Sequence, residues 1–264
     1  MKQRLLFYLL FIYIIYMQLY PHTSPSFSYE SFASTPKNSI RIVSYNIHFG
    51  ASANGKPAIS IISDFLSAVS PDILCLQEVD RNTIRSLFLD QTSKLNEDLS
   101  MEIAYGETDS LAPGTTGNLI LSRYPILYVE NKSLPSFKYK RNALLATVKT
   151  PIGNINVINT HLSLSRDVRK KQIEIIRDWI LQNRLPTILA GDFNASDINE
   201  LKPLLLILKD PAEAEDKAHI TTFENKKYNS RIDYVLIPKT YFVKSYNVPR
   251  FHFSDHYPVI VDLY

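Results

Sequence analysis

Cysteine is nearly missing from this sequence. Cys75 is the only one in 264 residues, so no internal disulfide can form and a four-cysteine zinc site is excluded. It lies inside the apolar run "DILCLQ" and reads as a small buried hydrophobe. No cysteine is placed to carry a lipid. A charge excess is missing too. Lys and Arg number 29 against 26 Asp and Glu, a net +3, too little to announce a nucleic-acid or membrane partner through bulk electrostatics. Any basic footprint must be local. No G-x-S-x-G elbow, P-loop or H-E-x-x-H occurs. Ser254, Asp255 and His256 are consecutive, so their side chains diverge and cannot form a three-membered relay. Repeats and low-complexity runs are also absent.

What is present begins with an unusual first segment. "MKQRLLFYLLFIYIIYMQLY" opens on Lys2 and Arg4 and runs apolar from Leu5 to Tyr20. A basic start with an apolar follow-on is the pattern of a signal peptide or an uncleaved membrane anchor. The run is short for a full span, yet its tyrosines suit a membrane interface. Residues 1–20 are therefore expected to export the chain, either secreted or membrane-anchored, with Ala33 the expected cleavage point. Residues 21–39, rich in Ser and Pro, read as a linker. Removing residues 1–33 takes away Lys2, Arg4 and Glu30, leaving 27 minus 25, or +2. Residues 40–264 are expected to form one domain. At 45% hydrophobic and 21% charged, the chain can bury a sizeable core.

Eight runs, "IRIVSYNI", "DILCLQEV", "GNLILSRY", "ALLATVKT", "GNINVINTHL", "TILAGDF", "RIDYVLI" and "YPVIVDL", read as strands. Gly153-Asn154 after Thr150-Pro151 predicts a hairpin between two of them. Helical spacing predicts helices through Ile59, Ile62, Leu66 and Val69, stopped by Pro71. A second runs through Val168, Gln172, Ile175, Ile176, Trp179 and Ile180, capped by Ser165, and a third through Leu201, Leu204, Leu205 and Leu208. Trp179 belongs to a core stripe. Hairpins and intervening helices together imply two mostly antiparallel sheets packed face to face with helices outside.

Polar residues recur where these strands end. "SYN" ends the first strand on Asn46, "LQEVD" is expected to end the second on Glu78, "NTHL" another on His161, and "GDFN" another on Asp192 and Asn194. "RIDY" opens on Asp233, and "SDHYPV" enters the last strand through Asp255 and His256. Each alone could be a turn, since Asp and Asn bond their own backbone. Together, two packed sheets would bring them to one rim, facing a cleft. Carboxylates with an amide and no thiolate form a hard oxygen set suited to Mg²⁺ or Mn²⁺. Histidines beside them can move protons or donate to an oxyanion. This is a kit for hydrolysing a phosphate ester.

The ordered set "SYN", "LQEVD", "GNLILSRYPI", "NTHL", "GDFN", "RIDYVLI" and "SDHYPV" resembles the endonuclease/exonuclease/phosphatase, or deoxyribonuclease I-like, superfamily over residues 40–264. The resemblance implies a four-layer α/β sandwich and a divalent-metal phosphoesterase. It implies that Asn46, Glu78 and Asp255 surround the metal, with Glu78 the principal ligand. Asp192 would orient the attacking water and Asn194 would contact the phosphate. Asp233 would pair with His256, and His161 would meet a phosphate oxygen or protonate the leaving group. Which histidine is acid and which is clamp stays open. Arg81, Arg123 and Arg141 lie near motifs and are candidates for substrate phosphate, with a solvated surface role the alternative. "TTF" at 221–223 is similar to a Thr-bearing loop beside the site in relatives. His48 and His252 read as structural.

The expected activity is a phosphodiesterase, on a lipid head group or on nucleic acid, by a monomer. "FKYKR" at 137–141 mixes two aromatics with three cations, which suits an anionic lipid surface and, by stacking, single-stranded nucleic acid. An exported nuclease on DNA or RNA is the alternative. A non-catalytic binding module of this fold would have lost site groups, and none is missing. A repair nuclease inside the cell is disfavoured by the apolar leader.

Overall fold

The computed structural model describes residues 39–225 and 227–264. The expected leader and, apart from Ser39, the expected linker lie outside the described residues. Two six-stranded sheets organise the rest. In spatial order the first contains Val243–Asn247 (β13), Val259–Leu263 (β14), Ile40–Asn46 (β1), Ile73–Arg81 (β2), Gly114–Ser122 (β4) and Glu102–Leu111 (β3). The second contains Ile126–Leu134 (β5), Arg141–Thr150 (β6), Gly153–His161 (β7), Thr187–Asp192 (β8), Asp233–Pro238 (β12) and Leu208–Lys209 (β9). Phe223–Glu224 (β10) pairs with Asn229–Ser230 (β11). All eight expected runs are strands.

Each sheet contains one parallel pair among antiparallel neighbours. β1 and β2 are connected through α1 (Ile59–Val69), and β7 and β8 through α3 (Arg166–Gln182). Another helix, α2 (Gln91–Leu99), precedes β3. Alternation along β8 explains the layering. Ile188 and Ala190 join the core between the sheets, while Leu189 joins a second core beneath α3 with Ile173, Ile176 and Trp179. Buried Cys75 belongs to the first core, and burial pushes its thiol far up. The result is the expected four-layer α/β sandwich. Among the described residues no helix is long and apolar enough to cross a membrane.

Some local expectations are corrected. Ile175 is exposed and Ile173 takes its place inside, because the buried stripe is centred on Ile176. Ser165 occupies the cap position of α3, but its side chain makes no capping bond. The third leucine run breaks: a 3₁₀ turn over Ile198–Leu201 leads into the single helical turn Lys202–Leu205 (α4). Leu208 leaves the helix because Leu208 and Lys209 pair with Pro238 and Ile237 at the sheet edge. The hairpin is as expected, with Thr150 opposite Gly153.

Buried amides tie the two sheets together. Gln77 on β2 donates through Nε2 to Asn159 Oδ1 on β7 at 2.7 Å. Asn159 Nδ2 donates back to the carbonyls of Leu76 and Leu119 at 2.8 and 2.9 Å. Asn118 Nδ2 donates to Asn142 Oδ1 at 2.6 Å. Buried polar side chains of this kind persist because they are bonded.

Candidate active site

The two parallel pairs end at the same rim, and this places the polar residues. Asn46 closes β1, His161 closes β7 and Asp192 closes β8, with His161 and Asp192 side by side in register. Asp233 opens β12 directly opposite Asp192. Gly191 permits the close strand approach here, since a Cβ at its φ of +146° would lie 1.9 Å from Thr160 O.

Contrary to expectation, Glu78 does not end its strand but sits at a break within it, because pairing with β4 resumes from Val79 to Arg81. The β2–β4 register shifts between Leu76 and Val79, so Gln77 and Glu78 together face Asn118. Glu78 has φ 57°, a left-handed conformation unusual for this residue type. Such a bulge re-aims a side chain. Glu78 Oε1 accepts from Asn46 Nδ2 at 3.3 Å, and the same nitrogen donates to Asp192 Oδ2 at 3.0 Å. Asn46 Oδ1 accepts from the His48 amide at 3.0 Å, so its nitrogen is the end turned toward the carboxylates.

Asp192 is deeply buried. Its Oδ1 accepts from the Asn194 amide at 2.9 Å. Its Oδ2 lies 3.3 Å from His161 Nε2 and 3.6 Å from His256 Nε2. Burial, reinforced by nearby Asp233, pushes its pKa up to about 7 against the opposing pull of His256 and the Asn46 and Asn194 bonds. His256 behaves in the opposite sense. Burial disfavours its cation, but Asp233 at 2.9 Å from Nδ1 and Asp192 outweigh that, and the pKa rises to about 10. His161 is held well below the usual histidine range by burial and by the nearby cations Arg141 and His256. One histidine therefore carries charge at neutral pH and the other does not.

Asp255 sits at the edge of this group. Its Oδ1 is 4.0 Å from His256 Nε2 and from His48 Nδ1, and it accepts from Ser254 Oγ at 3.3 Å. Arg141 opens β6 and lines the same cleft, of about 380 Å³, as Glu78, His161, Asp192, Asn194 and His256. Asn194 also ties its own side chain to Leu162 O at 3.0 Å. The structure thus gathers Asn46, Glu78, Arg141, His161, Asp192, Asn194, Asp233, Asp255 and His256 at one rim. Arg81 and Arg123 are engaged elsewhere, with Asp90 and with Asp72.

Some contributors had no specific partner or role in the sequence reading. Thr222, in the "TTF" stretch, donates to Asp233 Oδ2 at 2.7 Å and takes the Asp233 amide at 3.0 Å, which orients that carboxylate. Asn118 lines the cleft. His48, read as structural, stands beside Asp255. The usable signal was a polar residue at an inward strand position, as in "GNLILS".

One cluster and two further carboxylates could attract a cation. Ligand atoms of Asp192, Asp233 and His256 lie within 4.8 Å of one another, but they are already hydrogen-bonded together and a protonated histidine has no lone pair to offer. Glu78 and Asp255 fit a metal better. Both are partly exposed, and Glu78 Oε2 and Asp255 Oδ2 take no hydrogen bond from the described residues. Free carboxylate oxygens suit a hard divalent ion.

Comparison with known proteins agrees with this fold. The model of the endonuclease/exonuclease/phosphatase family matches residues 43–256. The chain is 32% identical over 173 residues to Escherichia coli K12 YbhP, covering 61% of this chain and 68% of that one. An endonuclease/exonuclease/phosphatase from Beutenbergia cavernae superposes with a TM-score of 0.74 at 24% identity, covering 86% of this chain and 71% of that one. The Bacteroides thetaiotaomicron mannosyl-6-phosphatase Bt3783 superposes at 0.72 and 21% identity, covering 85% and 99%. Those two likenesses concern the fold; the family match covers the motifs as well. The chain belongs to the endonuclease/exonuclease/phosphatase family, whose members are hydrolases of phosphoesters.

Proposed function

We propose that this chain is a divalent-metal-dependent phosphodiesterase, exported or membrane-tethered through residues 1–20. The observation that carries the chemistry is the pairing of a buried carboxylate, Asp192, with a charged His256 inside the cleft that also presents the open oxygens of Glu78. Asp192 takes the proton of the attacking water at Oδ2, the oxygen left facing the site once Oδ1 is held by the Asn194 amide. Its raised pKa makes it a stronger base than an ordinary aspartate.

His256 gives up a proton reluctantly at a pKa near 10, which suits a donor that clamps a phosphoryl oxygen. Asp233 fixes its ring. Arg141 and the Asn194 side chain face the phosphate, and neutral His161 keeps Asp192 in place while meeting the leaving side. Glu78 and Asp255, with Asn46 beside them, would hold Mg²⁺ or Mn²⁺. A bound ion supplies charge neutralisation at the phosphoryl oxygens. A monomer suffices, since one chain contributes the whole cleft.

One surface observation supports a second reading. Phe137 and Tyr139 are exposed beside Lys138 and Lys140, a set on which single-stranded nucleic acid could stack. The deciding experiment is a panel of lipid phosphodiesters, RNA, plasmid DNA and bis-p-nitrophenyl phosphate, with Mg²⁺ and with EDTA. Turnover of a diester that EDTA abolishes supports the activity. Full activity in EDTA refutes the metal role, and salt-sensitive nicking of plasmid without lipid turnover would make this chain a nuclease.

A further inference from the structure

The mouth of the cleft has a construction that catalysis does not require. Arg85 and Tyr139 both line it. Around Arg85, the loop after β2 exposes Ile84, Leu87 and Phe88 at 63%, 54% and 60%. Leu87 and Phe88 hold consecutive left-handed backbones, φ 55° and 61°, a conformation disfavoured for side chains of their size. No core residue is gained by this strain, because both side chains point outward.

Several of the loop's polar groups are nonetheless bonded within it. The amides of Leu87, Phe88 and Leu89 donate to the carbonyls of Ile84, Thr83 and Ser86 at 3.0, 2.8 and 3.1 Å. Ser86 Oγ bonds the Thr83 and Leu89 carbonyls. Thr83 Oγ1 and Arg85 Nε and Nη2 fasten the loop to buried Asp80 at 2.6, 2.7 and 2.8 Å. Arg85 also lies over the Phe49 ring at 4.4 Å. A loop meant for water can leave its backbone to solvent. One that bonds much of its backbone internally and turns three large apolar side chains outward, beside exposed Asn82 and Arg85, suits the boundary between water and a medium that offers few hydrogen bonds.

We propose that this loop, with Phe137 and Tyr139 from the loop before β6, seats the cleft mouth in the interfacial layer of an anionic lipid bilayer. The charges fit that partner. Lys138 lies over the Tyr139 ring at 5.0 Å, and the Lys140 side chain is 70% exposed though 3.4 Å from Asp109. Cations interleaved with aromatics are the pattern that head groups and the acyl boundary accept together. The inference deepens the phosphodiesterase reading and rests on it for the identity of the substrate as a lipid; insertion itself is measured without turnover.

The test places a reporter in the loop of the full chain. Phe88→Trp is compared with Phe242→Trp, an equally exposed aromatic at the far end of the first sheet, where Phe242 bonds Tyr264 next to the start of β1. Vesicles are phosphatidylcholine and phosphatidylglycerol at about three to one, with and without brominated acyl chains. The emission of Phe88→Trp should shift to the blue and be quenched by bromine, and that of Phe242→Trp should not. Adding Leu87→Ser to Phe88→Trp should reverse most of the blue shift and bromine quenching. This readout is local to the loop, and binding through residues 1–20 does not supply it; Trp179 emission of the unsubstituted chain is the background. No response from Phe88→Trp, or equal responses from both reporters, overturns the proposal and points to a protein or nucleic-acid partner for the loop. Insertion without hydrolysis of any diester would leave the docking surface standing and remove the enzymatic reading.

Discussion

The two strand–helix–strand units, β1–α1–β2 and β7–α3–β8, are built alike and deliver unlike chemistry. Each ends a parallel pair at the rim. The first pair ends on Asn46 and carries Glu78, pushed out by a bulge and left partly in solvent. The second ends on His161 and Asp192, in unbroken register and buried. In the proposed roles, the carboxylate left partly in solvent keeps an oxygen open to a cation, whereas the buried one, its pKa raised, serves as a base. Local regularity of a strand thus decides what its terminal acid does.

Swapping charge for amide in each unit separates the two roles. Asp192→Asn should lower kcat by about 10²–10⁴, the usual worth of a general base, with metal affinity nearly unchanged by calorimetry. Near-normal turnover would make Asp192 a turn residue. Glu78→Gln should instead raise the metal concentration needed for half activity by about 10–100-fold, with excess Mn²⁺ restoring part of the rate. If both variants fail identically, the division of labour between the units is wrong.

The buried unit also sets a pH dependence. His256 has a folded pKa raised to about 10, so its cation stabilises the fold fully below the unfolded value of about 6.5, and that contribution is lost as pH rises toward 10. In EDTA, the unfolding free energy should decline between pH 7 and 10 by up to about 1.4 kcal/mol per pH unit. His256→Gln should flatten the decline. Raised Asp192 acts in the same direction at lower pH, which is why the measurement starts at 7. The smallest effect on turnover is expected at Thr222→Val, which removes the bond to the Asp233 carboxylate and the acceptor of the Ile232 and Asp233 amides, and should cost about 1–3 kcal/mol of stability. It should also lower the pH at which His256 titrates, read by NMR; an unchanged titration would leave Thr222 without a positioning role.

How far the sequence alone reaches follows the same contrast. The eight apolar strands announced themselves because both faces of a central strand are covered, giving near-continuous hydrophobic runs. β3, β5 and β13 did not, since exposed edge strands such as "ILYVENKSL" carry mixed polarity. Helix α2, "QTSKLNEDL", was invisible as an apolar stripe: it is mostly polar and is started by Asp90, whose side chain accepts from the Thr92 and Ser93 amides. Leu208 misled because edge pairing overrode a helical spacing. At the site, residue types and order were legible as strand-end polar groups. The bulge at Glu78 and the different proton states of two histidines were not, because each depends on neighbours distant in the chain.

The amide lattice through Gln77, Asn159, Asn118 and Asn142 has a mechanical consequence. Sliding one sheet past the other by a single residue would break all of these bonds at once inside an apolar layer, so the sheets have one permitted alignment. The separation between Glu78 and Asp192 is therefore gauged by amide-to-amide spans a few residues behind them. Such a site has no hinge between its jaws. Entry and exit of substrate fall to the rim loops, while the jaws themselves stay locked at one setting.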